Sequence, residues 1–252
     1  MKHACLEVLT GGAHLFRHRG TRWAYSEGSF AGIRARTLSM FANTHRTLLR
    51  IEALDSPVRS QEQEWELFKS AFPFGERLNE SSHIFDYTVV ENSGGEKRAL
   101  LAAIPAEFSD SCVRLGKEIT RSIHRIKSLD FVENLILKKF AALSQNGESF
   151  LIVLPQDNGF RLLSASRGLP VDVYFISNHP DFRAQEFLRF WRCSFFLESV
   201  SATVVLFATR THGRDGHAWL GKVCEEIGAK IIQKNFHLPQ FLPAQLARTA
   251  SS

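Results

Sequence analysis

SFLIVLP (Ser149–Pro155), FRLLSA (Phe160–Ala165) and VDVYFI (Val171–Ile176) are three short apolar segments, separated by QDNG (Gln156–Gly159) and by RGLP (Arg167–Pro170). Each segment is too short for a globular helix, and both spacers carry turn residues. The stretch therefore predicts a meander of three antiparallel strands, its first turn a type I′ hairpin on Asn158-Gly159. Further on, Phe187, Leu188, Trp191 and Phe195 fall on one stripe at helical period, which predicts an amphipathic helix over 182–196. ATVVLFA (Ala202–Ala208) reads as a strand covered on both faces. A second helix over 217–227 places Trp219, Leu220, Val223, Cys224 and Ile227 on one face, with Asp215 as a candidate cap and Gly228 past its end. AKIIQ (Ala229–Gln233) closes the series as a short strand.

The order β-β-β-α-β-α-β, a meander followed by right-handed crossovers, is the ribonuclease H-like order on a mixed sheet. The N-terminus begins in the same way. Ala4–Leu9, Ala13–Arg17 and Arg22–Tyr25 are three short strands separated by Gly11-Gly12 and Gly20, about 145 residues before the second meander. Leu48–Ala53 is a further strand candidate, and Glu62–Phe72 is a helix with Trp65, Phe68 and Phe72 on one face. The first half then reads β-β-β-(loop)-β-α. Between the two series, FDYTVVE (Phe85–Glu91), the turn Asn92-Ser93-Gly94-Gly95 and KRALLAAI (Lys97–Ile104) form a hairpin. Pro105 opens a helix through Val113, Leu115 and Ile119, and Ser122–Ile126 returns as a strand. Phe131–Leu143 is a linking helix and 144–147 a hinge. The expected plan is α/β, two ribonuclease H-like halves with mixed sheets flanked by helices. The first half spans 1–145, with a small β-β-α-β insert at about 85–127, and the second spans 146–252.

The chain has 252 residues, 44% of them hydrophobic, enough for one large or two small domains with a sizeable core. No apolar run approaches the roughly 18–20 residues of a membrane span, and Glu7 and Gly11-Gly12 interrupt any signal-peptide core, so a cytosolic product is expected. Cys5, Cys112, Cys193 and Cys224 are too scattered for a disulfide frame or zinc ribbon and read as buried reduced thiols. The net charge is +5. Up to Arg59 there are nine basic residues against four acidic ones, a surplus equal to that of the whole chain. The arginines are not interleaved with aromatics as stacking on nucleic acid requires, so nucleic-acid binding is disfavoured. The surplus reads instead as a surface facing anionic lipid or an acidic partner.

Two such halves with an insert in the first are the plan of the actin-like ATPase superfamily. Within it the chain resembles PilM-type pilus-assembly proteins and the cytoplasmic domain of GspL-type secretion proteins. The resemblance rests on Phe85–Val90 (FDYTVV), Leu100–Glu107 (LLAAIPAE), Ile126–Leu135, and Leu151–Pro170 ending in Gly168-Leu169-Pro170. It implies a scaffold of a type IV pilus or type II secretion-like machine, cytoplasmic and peripheral to the inner membrane, whose membrane association is indirect. Its implied partners are the short cytoplasmic tail of a membrane-anchored protein and an assembly ATPase. The implied groove for that tail lies on the hairpin and helix carrying Asp86, Tyr87, Leu101, Ala103 and Val113. GspL-type proteins continue into a membrane helix, whereas this chain stops at Ser252, which favours the PilM-like arrangement.

The resemblance also implies a cleft for ATP and magnesium between two phosphate loops. The first would be Glu7, Thr10 and Gly11, the second Asp157 and Gly159, and an adenosine-side pair would be Gly213 and Gly216. Glu7 keeps a carboxylate, but Leu9 stands where glycine should give the phosphates clearance. The expectation is a nucleotide site that has lost catalytic competence, with no catalytic residue and no metal ligand assigned. The competing reading is an active actin-like ATPase or small-molecule kinase with Glu7 and Asp157 around magnesium. His14 and His18, four apart on a strand, do not share a helical ligand face, and His212 and His217 flank a polar loop. Ser164 and Ser166 lack a hydrolase motif.

Overall fold

The structure, a computed structural model, describes residues 3–9, 12–19, 22–27, 30, 35–44, 46–72, 83–120, 126–156, 158–195, 202–208 and 218–235. The decisive meander is present as β9 (Ser149–Gln156), β10 (Gly159–Ser166) and β11 (Leu169–Ser177). Helix α4 (Arg183–Phe195), β12 (Ala202–Ala208), α5 (Ala218–Glu226) and β13 (Lys230–Asn235) follow in the expected order. They build one five-stranded sheet, β11-β10-β9-β12-β13, antiparallel through the meander and parallel from β9 to β13.

The first half repeats this sheet strand for strand. β1 (His3–Val8), β2 (Ala13–Arg19), β3 (Arg22–Glu27), β4 (Thr37–Ala42) and β8 (Ile126–Phe131) run in the order β3-β2-β1-β4-β8, with β1-β4-β8 parallel. The two halves are therefore α/β units of one ribonuclease H-like plan.

Two expectations about the first half are corrected. Its second parallel strand is β4, in a stretch that the sequence pattern leaves as loop, and Leu48–Ala53, which the pattern offers as that strand, forms β5 of a separate sheet. That sheet, β5-β7-β6, is antiparallel throughout and contains β6 (His83–Glu91) and β7 (Lys97–Pro105). Conversely, the strand expected at 122–126 to complete the insert is β8, displaced toward the C-terminus and paired with β4 in the five-stranded sheet. The inserted unit is thus β5-α1-β6-β7. α2 (Ala106–Thr120) is the crossover leading to β8, and α3 (Val132–Ser144) follows.

Helix α1 (Gln61–Ala71) starts at Ser60, whose hydroxyl accepts the Gln63 N–H at 3.2 Å, while the Gln63 side chain accepts the Arg59 N–H at 2.8 Å. The exchange satisfies two donors that the helix start would otherwise leave unpaired. The helix lays Trp65, Phe68 and Ala71 on Phe85, Tyr87, Ala99 and Leu101 of the small sheet, with Trp65 and Phe85 edge to face at 5.3 Å.

Strands β9 and β10 are buried along their whole length. One face, with Ile152, Leu154 and Leu163, joins a core that also holds Leu6, Met40 and Ile136 of the first half. The other, with Leu151, Val153 and Leu162, lies under Phe187 of α4 and Leu220 of α5. The type I′ hairpin is not at Asn158-Gly159. Gly159 is already paired in β10, opposite Gln156 and Ser177, and a Cβ there would be built onto the Ile176 carbonyl oxygen. The two-residue turn with both φ values positive is Arg167 (φ 51°) and Gly168 (φ 82°). That turn is gripped from two sides. Ser144 at the end of α3 accepts the Gly168 N–H at 2.9 Å, and Asn92 of the β6–β7 turn donates to the Arg167 carbonyl at 3.3 Å. Arg98 of β7 adds hydrogen bonds to the Pro170 and Val171 carbonyls.

Among the described residues, no helix is long and apolar enough to cross a membrane.

Candidate functional site

β1 and β9 are corresponding strands of the two sheets, and each carries a buried polar side chain at or next to its end, Glu7 and Gln156. Glu7 lies opposite His14 in the β1–β2 ladder, and its Oε2 is 3.0 Å from His14 Nδ1. Its other oxygen accepts from Asn43 Nδ2 at 2.7 Å. Asn43 follows β4, held by its N–H on the Val8 carbonyl, and its Oδ1 faces Gln156 Nε2 across a long 3.5 Å contact. Gln156 also donates to Glu133 Oε1 at 3.0 Å. Glu133, in the first turn of α3, is 0% exposed and lies 3.6 Å from Arg161 Nε. The Arg161 guanidinium donates to the Thr47 carbonyl at 2.9 Å and sits over the Phe175 ring.

A line of buried polar side chains thus runs from β1 of the first sheet to Gln156 of the second, and on through Glu133 of α3 to Arg161 of β10. Burial pushes the Glu133 carboxyl up, and the Arg161 charge counteracts this. Burial likewise pulls Arg161 down, against the opposing effect of Glu133. Among the described residues, Glu133 Oε2, Gln156 Oε1 and Arg161 Nε have no hydrogen-bond partner.

Glu7 and Gly159 are the two nucleotide candidates within the described residues; Thr10, Gly11, Asp157, Gly213 and Gly216 lie outside them. Glu7 has both carboxylate oxygens engaged, and Gly159 is a strand glycine required by packing. Among the described residues, no group of three or more His, Cys, Asp or Glu side chains could hold a metal ion. His14 is the Glu7 partner, and the side chain of His18 and the pair His212 and His217 are outside the described set. Ser166 pairs with Ser149 at 2.7 Å, and Ser164 donates to the Asp172 carbonyl, both structural roles. Burial pushes the thiols of Cys5 and Cys112 up to about 12 and that of Cys224 to about 11. Cys193, expected to be buried, is exposed on α4.

The groove candidates separate onto two faces of the small sheet. Tyr87 lies directly opposite Leu101, and Ala103 opposite Phe85, so all three point toward the α1 side, where Leu101 and Ala103 are fully buried. Tyr87 donates to Glu64 of α1 at 3.2 Å, and burial pushes its phenol up, helped by that bond. Asp86 points to the other face, into a small cleft formed with Thr88, Leu100, Asp130, Phe131 and Asn134. Val113 is half-buried on α2 and does not line this cleft. The sequence reading missed Asp130 and Asn134 because they come from the β8–α3 junction, far along the chain. It also missed Arg161, whose signal was the one charge in a strand of otherwise uncharged residues.

No family model matches the chain, and no curated protein matches it by sequence. Solved structures do. One is a protein of Bacteroides thetaiotaomicron described as having an actin-like ATPase fold and unknown function. It superposes with a TM-score of 0.66 at 11% identity, over 97% of this chain and 95% of that one. The chain has the actin-like ATPase fold. A second match is a chain of a PilM–PilN type IV pilus biogenesis complex, with a TM-score of 0.65 at 12% identity over 99% of this chain and 95% of that one. The matches extend through the insert as well as both ribonuclease H-like halves. The PilM-like resemblance read from the sequence therefore reappears as a likeness of the whole fold.

Proposed function

We propose that this chain is a cytoplasmic actin-like scaffold of a type IV pilus or type II secretion-like assembly, peripheral to the inner membrane, that binds the tail of a membrane-anchored partner. The observation that supports this best is a structural likeness to a PilM–PilN complex that covers 99% of the chain. A second feature fits it. β6 is an outer strand of the small sheet, and the cleft holding Asp86 and Thr88 opens beside it. An extended tail can add a strand there and seat alternate side chains in the cleft. This reading puts the groove on the Asp86 and Thr88 face, since Leu101 and Ala103 are buried. The expected outcome is that the chain co-purifies with the cytoplasmic tail peptide of a membrane protein encoded beside it. Asp86→Arg should lower that capture at least tenfold without changing the melting temperature. Undiminished capture would sink the groove assignment.

The nucleotide site is read as degenerate, because a magnesium-bound nucleotide would have to draw Glu7 away from Asn43 and His14. Mg-ATP at millimolar concentration is expected to leave the melting temperature unchanged. An active ATPase or kinase would instead gain a few kcal/mol at about 100-fold excess over Kd.

A further inference from the structure

We propose that the cleft between β6 and the start of α3 is a socket for a guanidinium or ammonium group carried by an extended peptide lying along β6. The proposal deepens the tail-docking reading and rests on it, adding what the tail must carry. The argument is a count of donors and acceptors. Asn134 is 4% exposed and lines the cleft. Its Nδ2 donates to Asp130 Oδ1 at 2.7 Å and to Thr88 Oγ1 at 3.1 Å. The opposite amide orientation would set a carbonyl oxygen against a carboxylate, which accepts only. Asn134 Oδ1 is therefore fixed as an acceptor, and it is buried with no donor among the described residues.

The carboxylates of Asp86 and Asp130 lie in the same cleft, and each has one oxygen occupied by the N–H of the following residue. What the cleft presents is thus acceptors, lined by apolar side chains of Leu100, Ala102 and Phe131. That is the complement of an arginine or lysine, whose methylene stem packs on apolar surface while its head donates in several directions.

The charges acting on Asp86 are Asp130, Glu64 and Lys138, two acidic and one basic, so a cation entering the cleft meets a net negative field. Burial, followed by Asp130 and Glu64, pushes the Asp86 carboxyl up against the hydrogen bond from Tyr87 N–H and the charge of Lys138. An added cation opposes that shift.

The test uses the full chain labelled with nitrogen-15 and two small probes, N-acetyl-arginine N-methylamide and its neutral isostere N-acetyl-citrulline N-methylamide. The arginine probe is expected to give saturable shifts at the backbone amides of Asp86 and Thr88 and at the side-chain amide of Asn134. The citrulline probe should bind at least tenfold more weakly, and Asp86→Asn should weaken the arginine probe several-fold. No saturable shift at these groups, or equal binding of the two probes, overturns the socket. The two readings fail separately. A partner tail captured undiminished after all its arginines and lysines are changed to glutamine overturns the socket and leaves docking in place. Arginine-selective probe binding with no capture of any tail supports the socket and removes the pilus reading.

Discussion

Arg161→Met is expected to cost about 3–5 kcal/mol of stability, with Glu133→Gln in the same chain restoring more than half of it. The reason lies in what the single change leaves behind. Glu133 is fully buried, and Arg161 is the cation facing it at 3.6 Å. Methionine keeps much of the volume and removes the charge, so the carboxylate remains in low dielectric without its counter-charge. It also leaves the buried Thr47 carbonyl without the donor at 2.9 Å. With glutamine at 133 the stranded charge is gone, while the side-chain oxygen can still accept from Gln156.

Urea unfolding of the four chains measures the coupling directly. Purely additive losses would show that the pair acts as two independent packing residues. The deficit should also depend on pH. Burial raises the folded pKa of Glu133 above the ordinary carboxylate value, and removing Arg161 raises it further. In the window between the unfolded and folded pKa the folded chain holds more protons than the unfolded one, so stability falls as pH rises through it. The Arg161→Met deficit is therefore full above the folded pKa and shrinks as pH falls toward the ordinary carboxylate range.

Leu101→Ala is expected to cost about 2–5 kcal/mol, the usual range for emptying a fully buried leucine site. Leu101 is 0% exposed, beneath α1, with Phe68 and Tyr87 in the same cluster. Among the described residues, α1 is the helix that covers this face of the small sheet, so hydrogen exchange should quicken first in β5, β6 and β7. A surface leucine would give less than half of this loss. The measurement thus decides between the expected groove role and the observed core role.

The meander of the second half was legible because its turns are marked and its strands are short and apolar. β4 was not, because TLSMFA (Thr37–Ala42) has no turn residue directly before it and six apolar-rich residues fit a strand or a buried helical turn equally well. LLRIEA (Leu48–Ala53) was rightly read as a strand, yet its partner is set by pairing with β7 some fifty residues on, which local pattern does not encode. The same holds at the candidate site. The carboxylate of Glu7 is visible in the sequence, but its saturation depends on His14 and Asn43 arriving from other strands. For the groove, the period of the strand does contain the answer. Asp86 and Tyr87 are adjacent in a strand and must face opposite ways, so they could not line one surface with both side chains.

The insert interrupts the first sheet between two strands that lie side by side, and this changes the route by which that sheet can form. Leu38 of β4 pairs with Ile126 of β8, whereas the equivalent strands of the second half pair Thr203 with Lys230. For a flexible chain, a connection about three times longer costs about 1 kcal/mol more to close. The small sheet offsets this, because Leu48 at its entrance pairs with Ala103 near its exit. Once β5 and β7 have zipped, the long connection behaves as a short one. The last strand of the first sheet then arrives beside β4 with most of its search already completed.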